Sequence, residues 1–257
     1  MELAHKHGIL TAASLMVAAP AAAEAITRAR RLPSLRIGLH LVLVNGTPAL
    51  PPERLPDLVD ATGRLRTDLA RLGLDICARP SARAQLRGEI EAQFRAYQAT
   101  GLALDHVNAH QHFHLHPVVA NEIIAIGRRY RMLGLRVPRE PTAVLTKVES
   151  GIKPGLGYIA PWTRLLARRV RRAGLHSPDW VFGLAWSGAM SAARLVGLLR
   201  HLPAGTTEIY LHPGTRDSFE NCAHGYRYAD ELAALVDPQV IAQTRRPDVV
   251  LGGYSDF

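Results

Sequence analysis

An α/β fold with parallel strands, most simply a (β/α) barrel, is what this sequence predicts, on three observations. Strand-like apolar runs alternate with helical patterns along the chain, and repeated strand-helix units imply parallel strands joined by right-handed crossovers. A length of 257 residues with 47% hydrophobic content suits one undivided domain of barrel size, so residues 1–257 are expected to form a single domain. Polar residues collect at strand ends: His40, His110, Arg139, Ser187 and His212 each fall at or near a strand's carboxyl end, where barrel enzymes place their sites. That last pattern favours the barrel over a doubly wound sheet.

Taken in order, Met1 to His7 reads as the end of a helix, with Gly8 at the position that ends helices by tolerating a left-handed backbone. Ile9 to Ala18 holds a short buried strand, and Ala21 to Arg31 is an alanine-rich helix. Leu35 to Val44 is nearly continuous in apolar residues, as a strand covered on both faces would be, and His40 is its polar exception. Asn45 to Leu74, rich in proline and turn residues, is loop-like and long enough for a lid or substrate-binding segment. Arg83 to Ala99 is a helix, Leu102 to Asn108 a strand, and Pro117 to Tyr130 a helix with proline at its start. Gly134 to Pro138 is a short strand and Pro141 to Ala160 is irregular. A basic helix from Trp162 to Arg172, a strand from Asp179 to Trp186 and a helix from Ala189 to Leu202 follow. Thr206 to Leu211 is a strand, Tyr228 to Leu235 a helix, and Val249 to Leu251 the last short strand.

Asp105 to Pro117 is the stretch around which this scaffold is organised, since it carries five of the chain's 12 histidines. In an extended backbone His106, Asn108, His110, His112, His114 and His116 would share one face, with Val107, Phe113 and Leu115 on the other. Neutral imidazole is the commonest protein ligand for a divalent metal. A solvated histidine-rich loop that binds metal without function is the other reading of the same residues.

Composition narrows the surroundings. Cys77 and Cys222 are the two cysteines, too few for a disulfide framework, which suits a reducing cytoplasm. The amino terminus lacks the apolar run of a secretory signal. The most apolar stretch, Gly8 to Ile26, is interrupted by Thr11, Ser14, Pro20 and Glu24 and is not expected to span a membrane. A net charge of +9 favours anionic partners. Arg164, Arg168, Arg169, Arg171 and Arg172 interleave with Leu165, Leu166 and Val170 as a basic amphipathic helix. Its readings are a solvated face, a peripheral contact with an anionic membrane at the inner leaflet, or a nucleic-acid patch; no nucleic-acid module signature supports the last.

Gly38-Leu-His40-Leu, then Asp105-His-Val-Asn-Ala-His-Gln-His-Phe-His, then Tyr210-Leu-His-Pro, in that order, resemble the YdjC-like family of carbohydrate deacetylases. With Leu41-Val-Leu-Val-Asn-Gly-Thr-Pro, Arg136-Val-Pro-Arg-Glu-Pro and Trp186-Ser-Gly, the chain looks most like the hopanoid-biosynthesis-associated (HpnK-like) branch. The resemblance implies a barrel-like deacetylase fold, a divalent metal held by an aspartate and two histidines, and hydrolysis of an N-acetyl group from an amino sugar. For this branch it implies an N-acetylglucosaminyl bacteriohopanetetrol substrate. His40 and His110 match the family's metal-binding histidines, and His212 matches a site histidine suited to be general acid toward the departing amine. Arg136 and Arg139 match basic residues at the pocket edge. His112 and His114 are expected at the pocket rim or behind the ligands, and Trp186 at a strand end could stack on a sugar ring. Family members carry Asn-Ala-Asp-Asp-Phe-Gly on their first strand, which this sequence lacks; the chain is expected to begin about one strand late and to miss the third metal ligand and the water-activating base.

The same residues have plainer readings. His40 could be a satisfied core histidine, His212 a capping or loop histidine, Arg136 and Arg139 partners of Glu140, and Trp162, Trp180 and Trp186 core residues. Two imidazoles with a carboxylate suit zinc, whereas the family resemblance leans to magnesium. Two functional classes result: a metal-dependent deacetylase of an N-acetylated glycolipid or other oligosaccharide, or a catalytically impaired chain that binds metal or glycolipid without turnover.

Overall fold

The computed structural model describes residues 1–152, 159–220 and 222–257. In chain order the elements are α1 (Glu2–His7), β1 (Ala12–Leu15), α2 (Ala22–Ala29), β2 (Arg36–Leu41), α3 (Leu69–Ala78), α4 (Pro80–Ala99) and β3 (Val107–Ala109). They continue with α5 (Pro117–Arg129), α6 (Thr142–Val148), α7 (Ala160–Arg172), β4 (Trp180–Phe182), α8 (Ala192–Arg200), β5 (Thr207–Ile209), α9 (Tyr228–Leu235) and α10 (Pro238–Thr244). The α/β class with parallel strands is as the alternating sequence pattern requires.

The chain divides into two compact units. The first comprises Ala12–Arg136 and Arg168–His176. Its sheet is parallel in the order β1-β2-β3, with Ser14 opposite Gly38 and His40 opposite Asn108. Single parallel bridges, Val107 to Leu135 and Gly134 to His176, continue the ladder. Leu39, Leu41, Ile90, Phe94, Tyr97 and Ile123 are fully buried in its interior. Gly38 is glycine for a packing reason: a Cβ there would lie 2.5 Å from Nε2 of His106.

Polar side chains of α4 complete the backbone bonding of the segment that leaves β2. Gln93 accepts from the N–H of Val42 and donates to its carbonyl, while Glu89 accepts from the N–H groups of Ala49 and Leu50. Buried backbone groups need partners, and here a helix supplies them where the sheet stops.

The second unit comprises Met1–Thr11, Val137–Ala167 and Ser177–Phe257. Its sheet is the parallel pair β4-β5, with Phe182 opposite Ile209, and Arg139 forms an antiparallel bridge to Val181. Phe182, Trp186, Met190, Leu195, Leu198 and Val240 form its core.

Several expectations change. The histidine row is not extended: β3 ends at Ala109, and His110–Leu115 is a 3₁₀ turn with Gln111 and His112 at positive φ. The 3₁₀ winding and the two left-handed residues break the alternating register, so the five imidazoles do not form one wall. Gly8 ends α1 at φ −133°, not left-handed; glycine is needed because a Cβ would lie 2.2 Å from the carbonyl oxygen of Leu235. The expected loop from Asn45 to Leu74 already contains the start of α3, capped by the Asp68 side chain on the N–H of Arg71. The stretch from Pro141 to Ala160 includes α6; residues 153–158 of it lie outside the described residues. Val249 to Leu251 forms no strand, and α10 lies just before it.

Candidate active site

The residues singled out by sequence fall into two clusters, one in each unit. In the first unit β2 and β3 set His40 beside Asn108, and His110 follows β3 directly. The rings of His40 and His110 meet at a centroid distance of 5.9 Å and an angle of 67°. Burial favours the neutral form of His110, the form that can donate a lone pair.

Behind His40 runs a chain of buried polar groups with one consistent polarity. Asp105 Oδ2 lies 2.8 Å from His106 Nδ1, His106 Nε2 lies 2.9 Å from Ser14 Oγ, and Asn108 Nδ2 donates to Ser14 Oγ over 2.9 Å. Asn108 Oδ1 lies 2.5 Å from His40 Nδ1. An amide oxygen only accepts, so His40 carries its proton on Nδ1 and its lone pair falls on Nε2. Ser14, Asp105, His106 and Asn108 thus hold His40 in one tautomer. Asp105, His106 and Asn108 are each buried to 3% exposure or less, which keeps water from competing.

The 3₁₀ turn places the remaining histidines differently. His112 and His114 stack edge-on at 5.6 Å. His114 is fully buried, and burial first, then the charges of His112, Arg136 and His40, hold its pKa well below the ordinary imidazole value. Arg136 is itself buried at 8% exposure. His116 stands at the N-cap position of α5 without a side-chain cap, and its Nε2 lies 3.4 Å from Cys77 Sγ.

In the second unit His212 follows β5 and packs against Tyr210 at 5.7 Å and Tyr226 at 5.1 Å between ring centroids. Ser187 Oγ is 2.7 Å from the Tyr226 hydroxyl. Gly188 gives Tyr226 room, since a Cβ would lie 2.2 Å from its ring. Arg139 spreads its guanidinium over Trp180 at 5.0 Å. Glu140 accepts from the N–H groups of Gly183, Leu184 and Ala185, and burial raises its pKa. Trp186, expected as a sugar platform, is a core residue at 3% exposure with Arg194 over its ring at 5.5 Å.

Whether a metal suits these residues can be tested on the donor set. Among the described residues no three His, Cys, Asp or Glu side chains converge. His40 and His110 offer two neighbouring imidazole donors by their chemistry, and a complete coordination sphere would need further ligands from water or substrate.

Ser14 and Glu231 escaped the sequence reading. Nothing marks Ser14 in sequence. Glu231 was legible, because it stands on the apolar stripe of α9 with Tyr228, Leu232 and Leu235.

A family model described as YdjC-like protein matches residues 1–246. The chain belongs to the YdjC-like family. Curated relatives named "Carbohydrate deacetylase" include one from Brevibacillus brevis, 32% identical over 150 residues, a match covering 56% of this chain and only 57% of that protein. Those of Geobacillus stearothermophilus and Thermoanaerobacter pseudethanolicus are 27% and 26% identical over 99% and 98% of this chain, and 89% of each relative. A crystal structure from Enterococcus faecalis V583, provisionally named for cellobiose-phosphate cleavage, superposes with a TM-score of 0.75 at 23% identity, covering 98% of this chain and 90% of that one. That likeness is one of fold and agrees with a (β/α) barrel-like α/β architecture for this YdjC-like chain.

Proposed function

We propose that this YdjC-like chain is a carbohydrate deacetylase, a hydrolase that removes the N-acetyl group from an amino sugar with a divalent metal, magnesium or zinc. Relatives named for that activity match it over nearly its whole length. The observation that carries the reading is the meeting of His40 and His110, with the His40 tautomer set by Asn108.

Amide hydrolysis needs a nucleophilic water, a stabiliser for the developing oxyanion and a proton for the leaving nitrogen. A divalent ion bound by His40 and His110 would lower the pKa of water and polarise the acetyl carbonyl. Asn108, Ser14, His106 and Asp105 hold His40 in place and in one tautomer. His114 and Arg136 form the dry wall of that cluster. His212, with its aromatic neighbours Tyr210 and Tyr226, is assigned the proton for the departing amine.

The substrate assigned is an N-acetylglucosaminyl bacteriohopanetetrol of hopanoid lipid biosynthesis, supported by the Trp186-Ser-Gly and Arg136-Val-Pro-Arg-Glu-Pro resemblance. No helix among the described residues is long and apolar enough to cross a membrane, and α7 would meet an anionic inner-membrane surface peripherally through its exposed Arg164, Arg168 and Arg172. The protein is assigned to the cytoplasm with no nucleic-acid partner.

Acetate release from N-acetylglucosaminyl bacteriohopanetetrol and from N,N′-diacetylchitobiose, with and without EDTA, tests this. Metal-dependent release from the glycolipid at the higher kcat/KM supports the full reading. Preference for chitobiose would move the substrate to another N-acetylated oligosaccharide. Bound metal with no acetate from either would overturn the enzyme in favour of a chain that binds without turnover.

A further inference from the structure

A carboxylate that no step above uses sits beneath His212. Glu231 lies on the inner face of α9 at 1% exposure. Its Oε1 accepts from the backbone N–H of Met190 over 3.0 Å, and its Oε2 accepts from the backbone N–H of His212 over 2.5 Å. The same Oε2 is 3.9 Å from the Nδ1 of the His212 ring. The side chain is 39% exposed, yet its Nδ1 is shut off from solvent, so the exposure belongs to the rest of the side chain. One carboxylate therefore fixes where the residue sits and faces its inner nitrogen.

We propose that Glu231 is the positioning residue for His212, clamping its backbone and favouring the protonated ring that hands its Nε2 proton to the departing amine. This rests on the general-acid role assigned to His212 and deepens it. The physical case has three parts. An ionised carboxylate can accept from both N–H groups at once, whereas a protonated one offers a single good acceptor oxygen and a donor that faces an N–H. Burial opposes that ionisation and raises the Glu231 pKa, while the bonds from Met190 and His212 counter it. A buried negative charge about 4 Å from an imidazole then favours its charged form, because little water screens the pair. The other titratable groups packed on the ring are Tyr210, from the segment after β5, and Tyr226, from the loop before α9. Neither brings a carboxylate to the ring, whereas Glu231 does.

The step it serves is a simple proton transfer. As the C–N bond of the tetrahedral species breaks, the nitrogen takes the proton from Nε2, the electron pair of the bond goes to nitrogen, and the imidazole is left neutral.

Two variants test the assignment on the full chain. In Glu231→Gln one oxygen is replaced by an NH₂ that faces a backbone N–H, and the charge is lost; Glu231→Asp keeps the charge on a shorter arm. The His212 resonance, assigned by its absence in His212→Asn, is followed against pH by NMR in ¹⁵N-histidine-labelled protein. The expected result is a titration midpoint lower in Glu231→Gln by about 0.5–1.5 units and largely restored in Glu231→Asp. With substrate, kcat is expected to fall roughly 10- to 100-fold in Glu231→Gln with KM within about twofold. A midpoint that stays within about 0.2 units of the unmodified protein in Glu231→Gln overturns the proposal. If the unmodified protein releases no acetate, the deacetylase reading fails, and the midpoint still decides whether Glu231 governs His212.

Discussion

His40 and Asn108 face each other across the β2–β3 ladder, and a 2.5 Å hydrogen bond from His40 Nδ1 to the Asn108 side-chain oxygen sets which ring nitrogen keeps its lone pair. Register alone makes this pairing, because the two residues are Cα partners in a parallel sheet whose strand β1 supplies Ser14 to the other end of the amide.

Asn108→Ala is therefore expected to weaken divalent-metal uptake about 10- to 100-fold, as loss of a ligand-orienting group does. Ser14 would also lose its donor in a dry site, at a cost of about 1–3 kcal/mol. Calorimetric titration with Zn²⁺ and urea denaturation give the two numbers. Undiminished zinc affinity would show that the tautomer of His40 is set elsewhere.

Acid should destabilise the first unit earlier than its carboxylates would. His114 is held below its ordinary value by burial, and His116 shifts the same way for the same cause. A folded-state pKa below the unfolded one means that the unfolded chain binds the proton first. Stability is thus present above about pH 6.5 and is lost as the pH falls through and below that value. Urea midpoints measured in EDTA between about pH 7.5 and 5 should fall, and His114→Leu should flatten the slope.

Glu89 works in the opposite direction, since burial raises its pKa. The folded chain then holds that proton more tightly, so its contribution is greatest below the ordinary carboxylate value and declines as the pH rises through the folded one. Glu89→Gln removes this penalty but turns an NH₂ toward Ala49, Leu50 or Gln93. A net loss of about 1–2 kcal/mol is expected. Faster hydrogen exchange at Ala49 and Leu50 would accompany it, and unchanged exchange there would refute the anchoring role.

Gly188→Ala should hurt more than Gly225→Ala, although both glycines have positive φ, 73° and 79°. Around Gly225 there is open space within 4 Å, whereas at Gly188 the new methyl meets the Tyr226 ring at 2.2 Å. We expect about 1 kcal/mol for the backbone at either site and about 1–3 kcal/mol more at position 188, with reduced acetate release as Tyr226 shifts against His212. Thermal melts and initial rates of both variants check this; equal losses would mean Tyr226 gives way freely.

Periodicity placed α4, α5, α8 and α9 in the sequence because each buries a helical stripe long enough to be read. The strands were found but drawn too long, since β3, β4 and β5 have only three residues each and polar strand ends look like continuations. His40 and His110 were legible as polar residues closing apolar runs, and the ring contact joins them. The histidine row was misread because a 3₁₀ turn with two left-handed residues leaves no mark in an alternating pattern. Ser14 acts through His106, 92 residues away, and local pattern carries no trace of that; Glu231 stands out on the apolar stripe of α9, but its partner His212, 19 residues before it, does not.

The grip of α4 on the segment after β2 limits how that region can move. Val42 is latched at both edges of its peptide to the amide of Gln93, and Ala49 and Leu50 are moored to Glu89. With the Tyr97 hydroxyl also donating to the carbonyl of Ile37, one helix braces both the strand that bears His40 and the run of chain that leaves it.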